Sequence, residues 1–304
     1  MYNAWKSAEP GILFWDTIID ESVPDCYADL GYKTVSTNPC GEIPLCTYDS
    51  CRLLTINLFS YVEHPFTEKA SFNFELFKKH LPAAQRIMDD IIDVELEKVN
   101  AILAKIEVDP ELDETKNDAY NLSVKIKDKA IQGRRTGIGI TAEGDMLAGL
   151  GLQYGSEKAN EFSIEAHKMI ALETYRASVY AAKERAAFEI YYSEREKNNP
   201  FILRLKEADE KLYYDMLEYG RRNIALLTIP TTGTTSLMTQ TTLGIEPVFL
   251  PVYKRSKKVN PNDKNDRIDF VDEVGDSWEE YVVFHHGFKQ WMTINGFDTD
   301  KNYP

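Results

Sequence analysis

The spacing of apolar residues changes several times along the chain, and each change marks an element. Ala84, Ile87, Met88, Ile91, Ile92, Val99, Ile102, Leu103 and Ile106 recur at intervals of three and four. That is the stripe of an amphipathic helix, and Pro82, a residue suited to a first helical turn, is read as its start. Arg52–Val62 (RLLTINLFSYV) is rich in β-branched and aromatic residues and reads as a strand. A helix is expected from about Ile138 to Leu150, ended by Gly151. Ser156 is placed to cap another that reaches Phe188 and buries Ile170, Leu172, Ala177 and Ala181. Phe201–Tyr219 reads as helix. Asn223–Ile229 (NIALLTI) is a nearly continuous apolar run, the mark of a strand covered on both faces. Residues 1–35 read as a short helix or loop, and the polar stretches 107–120 and 254–277 as surface loops. Strands alternating with long helices predict a parallel α/β architecture, with too few strands for a complete doubly wound sheet.

The chain has 304 residues, enough for one large domain or two ordinary ones. It contains no apolar run of about 18 residues, so no membrane span is expected. Its start, MYNAWKSAEPGILFWD, lacks the basic and apolar regions of a secretory signal. A cytoplasmic location is the resulting expectation. The net charge of −14 argues against nonspecific nucleic-acid binding, which needs a basic face.

The cysteines change the picture more. Cys26, Cys40, Cys46 and Cys51 fall in one short segment, and none occurs elsewhere. Their spacing contains no C-x-x-C pair and no histidine precedes His64, which disfavours zinc. Thiol chemistry in a reducing compartment is the better account, with Cys26 as a structural thiol. His285 and His286 are neighbours in sequence, which rarely face one ion, so no metal site is expected.

Three segments carry candidate chemistry. Ser36–Cys51 reads STNPCGEIPLCTYDSC. It sets an amide (Asn38), a thiol (Cys40) and a carboxylate (Glu42) at alternate positions, which in an extended or finger-like loop face one pocket. Pro and Gly around a Cys also suit an ordinary turn, and that alternative stays open at this point. Thr231–Ser236 (TTGTTS) follows the apolar run directly. It is either an anion cradle of backbone N–H and hydroxyl groups or a Thr-rich helix cap. Gly137, Gly139 and Ala142 fit the dinucleotide pattern G-x-G-x-x-A. That pattern must follow a buried strand, whereas Gln132-Gly133-Arg134-Arg135 precedes it here. Packing of a helix start against a strand is its expected use.

Asn38-Pro39-Cys40-Gly41-Glu42 with a downstream Cys51 resembles the finger loop of the ribonucleotide reductase large subunit. The Pro-Cys-Gly form is most like the adenosylcobalamin-dependent class II enzymes. Ile229–Phe249 (IPTTGTTSLMTQTTLGIEPVF) resembles that family's phosphate-holding segment, including its Gly244-Ile245-Glu246-Pro247 ending, and Gly133–Gly151 resembles its Arg-Arg-x-Gly-x-Gly stretch. The resemblance implies an α/β fold that is part of a ten-stranded α/β barrel. Residues 1–304 would be a single incomplete catalytic-barrel domain covering about its second half, with the finger at about 36–51 and the phosphate loop at about 230–236. It implies radical reduction of ribonucleoside diphosphates to deoxyribonucleotides. Cys40 would carry a thiyl radical, Glu42 act as base and Asn38 orient the reacting group, with Cys51 (alternatively Cys46) as a redox thiol. Thr231, Thr232, Gly233, Thr234, Thr235 and Ser236 would hold the substrate phosphates. The implied cofactor is adenosylcobalamin, or else a radical from a separate metal-containing subunit. Implied partners are the ribonucleotide, the N- and C-terminal parts of the reductase that the chain lacks, and a thioredoxin or glutaredoxin type reductant, in a homodimer when complete. The other redox cysteine belongs to the upstream part, so the isolated chain is expected to be inactive. The alternative is a non-catalytic piece of a split reductase that supplies the finger loop to another chain.

Overall fold

The computed structural model describes residues 1–260 and 267–299. Helices α1 (Tyr2–Ser7) and α2 (Trp15–Glu21) and a 3-10 helix (Pro24–Leu30) lead to the two short strands β1 (Ser36–Thr37) and β2 (Pro44–Leu45). Strand β3 (Leu54–Asn57), a 3-10 turn (Leu58–Tyr61) and strands β4 (Val62–Glu63) and β5 (Ser71–Phe72) precede the long helices α3 (Phe74–Val108) and α4 (Asp113–Gly133). Next come β6 (Ile138–Thr141), α5 (Glu143–Gly149), α6 (Glu157–Arg185), α7 (Ser193–Glu196), α8 (Pro200–Ala208) and α9 (Glu210–Tyr219). The last elements are α10 (Gly233–Thr239), β7 (Val252–Lys258), β8 (Phe270–Val271), β9 (Ser277–Phe284) and α11 (His286–Ile294).

The chain divides into two compact units. The first contains Met1–Ile56, Asn73–Ile140 and Glu161–Thr231; the second contains Asn57–Phe72, Thr141–Asn160 and Thr232–Pro304. In the first unit the run after Asn223 lies parallel to β6. Ile138 N–H donates to the Leu226 carbonyl at 2.7 Å, Thr228 N–H returns a bond to Ile138 at 3.0 Å, and Leu54 N–H donates to Gly137 at 3.0 Å. Ile224 and Leu226 are fully buried, as the apolar run predicts. Asn223 begins this segment and satisfies its whole amide. Its oxygen accepts from Gln85 and Ser178, and its nitrogen donates to Asp89 and the Arg134 carbonyl. One buried amide thus ties the segment to α3, to α6 and to the approach to β6, and a fully satisfied network of this kind fixes one arrangement.

Several expected boundaries shift, each for a physical reason. Helix α3 starts at Phe74, eight residues before Pro82, which lies inside it. Phe77, Leu81, Ala84, Met88 and Ile92 form one buried face, and that packing outweighs the proline's missing N–H. The Asn73 side chain caps the new start by accepting from Leu76 N–H at 2.9 Å. Ile87, Ile91 and Ile102 of the predicted stripe are exposed. Residues 113–120 are helical rather than looped: Asp113 and Glu114 occupy the first turn of α4, where acidic charge favours a helix. The Arg52–Val62 strand stops at Asn57 and passes into a 3-10 turn. The Ser156 cap is observed, its hydroxyl accepting from Ala159 N–H, but α6 ends at Arg185. Asp209 splits the expected 201–219 helix in two by capping α9.

The expected helix over 138–150 is instead strand β6 followed by α5. The glycines are small because this strand runs close to its neighbours. A Cβ on Gly139 would lie 2.5 Å from the Thr228 carbonyl and collide with the Pro230 ring, and one on Gly137 would lie 2.8 Å from the Arg52 carbonyl. Backbone approach, not a nucleotide or a helix start, accounts for the pair.

In the second unit, much of the polar stretch 254–277 is sheet. β7 and β8 flank β9, antiparallel, with Lys257 opposite Glu279. Charge pairing across an exposed ladder stabilises strands that no hydrophobic alternation announces. Part of that expected loop, 261–266, lies outside the described residues.

Candidate active site

Asn38-Pro39-Cys40-Gly41 forms a tight turn at the tip of a hairpin. Ser36 pairs with Leu45 and Thr37 with Pro44, and Gly41 N–H donates back to the Asn38 carbonyl at 3.0 Å. Asn, Pro and Gly occupy the first, second and fourth turn positions that each favours. Gly41 takes φ +84°, open to glycine at little cost. The loop is therefore not an extended strand, and alternation is not what disposes its three groups. The Asn38 side-chain oxygen accepts from Ile43 N–H at 3.0 Å, which spans the turn and leaves the amide nitrogen as a donor. Cys40, at the third position, is exposed.

Glu42 is held through its backbone: the Thr228 hydroxyl donates to its carbonyl at 3.1 Å. Its side-chain Oε2 is buried and has no hydrogen-bond partner. A buried carboxylate oxygen without a donor is costly, and a ligand hydroxyl would relieve it. Glu42, Gly41 and Ile43 form one wall of a cleft of about 550 Å³ whose other sides include Phe14, Tyr175 and Arg135. Asn38 and Cys40 do not line this cleft.

The thiols separate cleanly by environment. Cys46 is buried and donates weakly to Asp49 at 3.6 Å. Burial, and then the Asp49 carboxylate, push its pKa up to about 12. Cys51 is exposed. Nearby protein still displaces enough water to raise its pKa; Glu42 and Cys40 push the same way, and Arg135 opposes them. Cys40, Glu42 and Cys51 thus share one electrostatic neighbourhood. Cys26 is half-buried against the Tyr27–Tyr32–Phe188 cluster, and burial followed by Glu196 raises its pKa, as suits a structural thiol. All four are free.

Iodoacetamide at pH 8 should therefore modify Cys40 first, Cys51 more slowly and Cys46 last, read by peptide mass spectrometry. A thiol with a pKa of about 12 is thiolate in only roughly one molecule in 10⁴ at pH 8, and the thiolate is the nucleophile. Raising the pH should selectively speed Cys46. Equal rates at Cys46 and Cys40 in folded protein would contradict this picture.

Thr231 and Thr232 lead into α10, and Gly233–Ser236 form its first turn. Thr231, Gly233, Thr234 and Thr235 are exposed, while Thr232 and Ser236 are buried. The Ser236 hydroxyl turns back to the Gly233 carbonyl at 2.9 Å. The Thr232 hydroxyl pairs with Thr141 at 2.8 Å and accepts from Gly244 N–H at 2.8 Å. Two of the six expected phosphate ligands thus spend their hydroxyls inside the protein. His285 pairs with Asp145 at 2.7 Å, as a structural histidine would.

The residues not anticipated are those that hold the site. Arg135 pairs with Asp49 at 2.5 Å, both buried, and its charge acts on both Cys46 and Cys51. The adjacent arginines before Gly137 were a visible signal, masked by the glycine pattern beside them. Thr228, inside the apolar run, had no such signal.

A sequence model of the ribonucleotide reductase barrel domain matches residues 1–275. The chain belongs to the ribonucleotide reductase barrel-domain family. It is 30% identical over 254 residues to a vitamin B12-dependent ribonucleoside-diphosphate reductase of Thermoplasma acidophilum, covering 83% of this chain and 26% of that protein. A similarly named protein of Mycobacterium tuberculosis is 29% identical over 255 residues, covering 83% of this chain and 29% of the relative. The chain therefore spans between a quarter and a third of the length of these curated relatives. Among solved structures it is similar in fold to the Actinobacillus ureae class Id ribonucleotide reductase alpha subunit, with a TM-score of 0.55 and 18% identity over 97% of this chain and 42% of that one. The α/β expectation holds. No helix among the described residues is long and apolar enough to cross a membrane.

Proposed function

We propose that this chain is the part of a ribonucleoside-diphosphate reductase that carries the radical thiol, and that Cys40, Glu42 and Asn38 perform the chemistry on the ribose. One observation carries the reading. The finger turn presents an exposed thiol two residues before a carboxylate with an unpartnered buried oxygen, in a chain of the reductase barrel family.

Cys40, as a thiyl radical, takes the 3′ hydrogen atom and becomes a thiol, leaving the radical on C3′. Glu42 accepts the 3′-hydroxyl proton, and this is where its buried oxygen finds a donor. Asn38 is pinned by Ile43 N–H and donates from its free nitrogen to the reacting oxygen, an orienting role. The 2′ hydroxyl leaves as water with one added proton. Two thiols supply two electrons and two protons, one proton to the leaving hydroxyl and one to the new C2′–H bond, and become a disulfide; Glu42 returns its proton to the 3′ oxygen as Cys40 returns its hydrogen atom to C3′ and is again a thiyl radical. Cys51 is the redox thiol of this chain: it is open to a partner, whereas Cys46 is buried with its proton held. The second redox thiol comes from the upstream part of the reductase. The phosphates of the substrate meet the hydroxyls of Thr231, Thr234 and Thr235 and the backbone at Gly233, donors that need no positive charge.

The named relatives support adenosylcobalamin over a metal-containing subunit as the radical source. The donor set fits, because a radical source must reach the thiol and Cys40 is exposed at the turn tip. When bound, that cofactor supplies a carbon-centred radical by homolysis. A cytoplasmic setting, a thioredoxin or glutaredoxin type reductant and a homodimer complete the proposal. The test is deoxynucleotide formation by the chain joined to the remaining reductase parts, with adenosylcobalamin and dithiol. Product should form only in the assembled enzyme. Its absence with every radical source would overturn the reading.

A further inference from the structure

Glu42 is tied to the protein differently from its neighbours in the finger. The hairpin's own bonds at the tip close on Asn38, Gly41 and Ile43. The Glu42 carbonyl accepts instead from the Thr228 hydroxyl at 3.1 Å, 186 residues further along the chain but in the same compact unit. Thr228 is fixed by its own backbone. Its N–H donates to the Ile138 carbonyl at 3.0 Å, and Ile138 N–H donates to the Leu226 carbonyl at 2.7 Å. The hydroxyl is therefore not needed to place Thr228; what it places is the finger. Packing sets its direction. Thr228 is buried, and a β-branched side chain has few χ1 choices. A Cβ on Gly137 would lie 3.1 Å from the Thr228 methyl, closer than an ordinary contact. The bare glycine gives the methyl its space, which leaves the hydroxyl facing Glu42. The same glycine admits the Arg52 carbonyl, which a Cβ would meet at 2.8 Å. Arg52 directly follows Cys51, so the segments that carry the carboxylate and the redox thiol are both registered at Gly137. Above this junction, Glu42 Oε2 is buried without a partner. A carboxylate on a loose segment would turn that oxygen to water or to a donor, so the orphaned position is kept by what holds the backbone beneath it.

We propose that Thr228 is a positioning residue for ribonucleotide reduction: its hydroxyl fixes the Glu42 backbone, so that the carboxylate is aimed at the 3′-hydroxyl before the substrate arrives. Thr228 acts through Glu42 and not on the substrate. A reacting group held in place by a locked neighbour needs no reorganisation at the moment of proton transfer. The proposal rests on the reading of Glu42 as the base.

The experiment is a double-mutant cycle in the assembled reductase, with deoxynucleotide formation followed in single turnovers over a range of substrate concentrations and circular dichroism to confirm folding. Thr228→Val keeps the shape and removes the hydroxyl. It should lower the maximal rate roughly tenfold, the kinetic equivalent of one hydrogen bond, and leave the half-saturating substrate concentration within about twofold, since the base acts on the moving proton and not on binding. Thr228→Ser, which restores the hydroxyl, should recover most of the rate. Glu42→Gln should itself be slower by about a hundredfold or more, and adding Thr228→Val to it should cost nothing further, because nothing is left to position. Should Thr228→Val not fold, Thr228→Ala measured against Thr228→Ser gives the same comparison. A further tenfold loss in the Glu42→Gln background would mean a general effect on the fold and overturn the positioning role. So would a Thr228→Val enzyme as fast as wild type while Glu42→Gln is slow, and either result leaves Glu42 standing as the base. Full activity of Glu42→Gln would overturn the base itself and the positioning role with it.

Discussion

Cys40→Ala in the assembled reductase is expected to lower deoxyribonucleotide formation by more than about a thousandfold, as loss of a group that forms and breaks bonds does. The melting temperature of the chain should move by less than about 2 °C, since an exposed substitution without structural contacts is nearly neutral. Cys40 is at the third position of the turn, outside the bonds that build it. The turn is closed by Gly41 N–H and by the Asn38 side chain, and the alanine keeps both. Assembly should therefore survive. Product measured by chromatography, beside the melting curve, decides the matter. Unchanged activity in a correctly assembled Cys40→Ala enzyme would remove the radical role and leave the chain as an assembly piece that only carries the finger.

Glu196→Ala should cost about 3–5 kcal/mol of stability, the range for stripping one partner from a buried ion pair. Arg221 is fully buried and grips Glu196 through two bonds at 2.5 and 2.9 Å. It also donates to the carbonyls of Asn223 and Ile224 and lies near the rings of Tyr175, Phe188 and Tyr191. The Tyr27 hydroxyl donates to the same carboxylate at 2.6 Å. Removing the carboxylate leaves a guanidinium and a phenol stranded in an aromatic core, where a charge cannot be solvated. At about 2–4 °C per kcal/mol for a unit of this size, the melting temperature should fall by roughly 10 °C. Thermal unfolding followed by circular dichroism measures it. A fall of under about 2 °C would mean that water reaches the pair and that it does not organise the core. The consequence reaches function, because Arg221 bonds the start of the segment that carries Thr228, and Thr228 holds the Glu42 backbone.

The finger was legible in the sequence because its structure is local. Asn, Pro and Gly at fixed offsets specify a turn within four residues, and that turn puts Cys40 at the tip whatever surrounds it. The apolar run after Asn223 was legible for a similar reason: a segment buried on all sides must be apolar throughout. The 138–150 segment was misread as one helix because glycines that admit a neighbouring backbone to a strand look the same in sequence as glycines that let a helix start pack against one. The first turn of α3 was missed because its buried face outweighs a proline, and that of α4 because acidic residues that read as a loop favour a helix start.

By itself, then, the sequence determined the turn, the clustering of thiols, the alternation of strand and helix and the family. Which thiol is open and which is shut was decided only by the tertiary structure. Asp49 and Arg135 lie 86 residues apart in the chain yet meet beside Cys46. The same holds for Thr232, whose hydroxyl is engaged by Thr141, 91 residues away. Residue type and spacing say what a group can do. Burial and the proton's destination depend on neighbours brought in by folding, and those settle what each group is free to do.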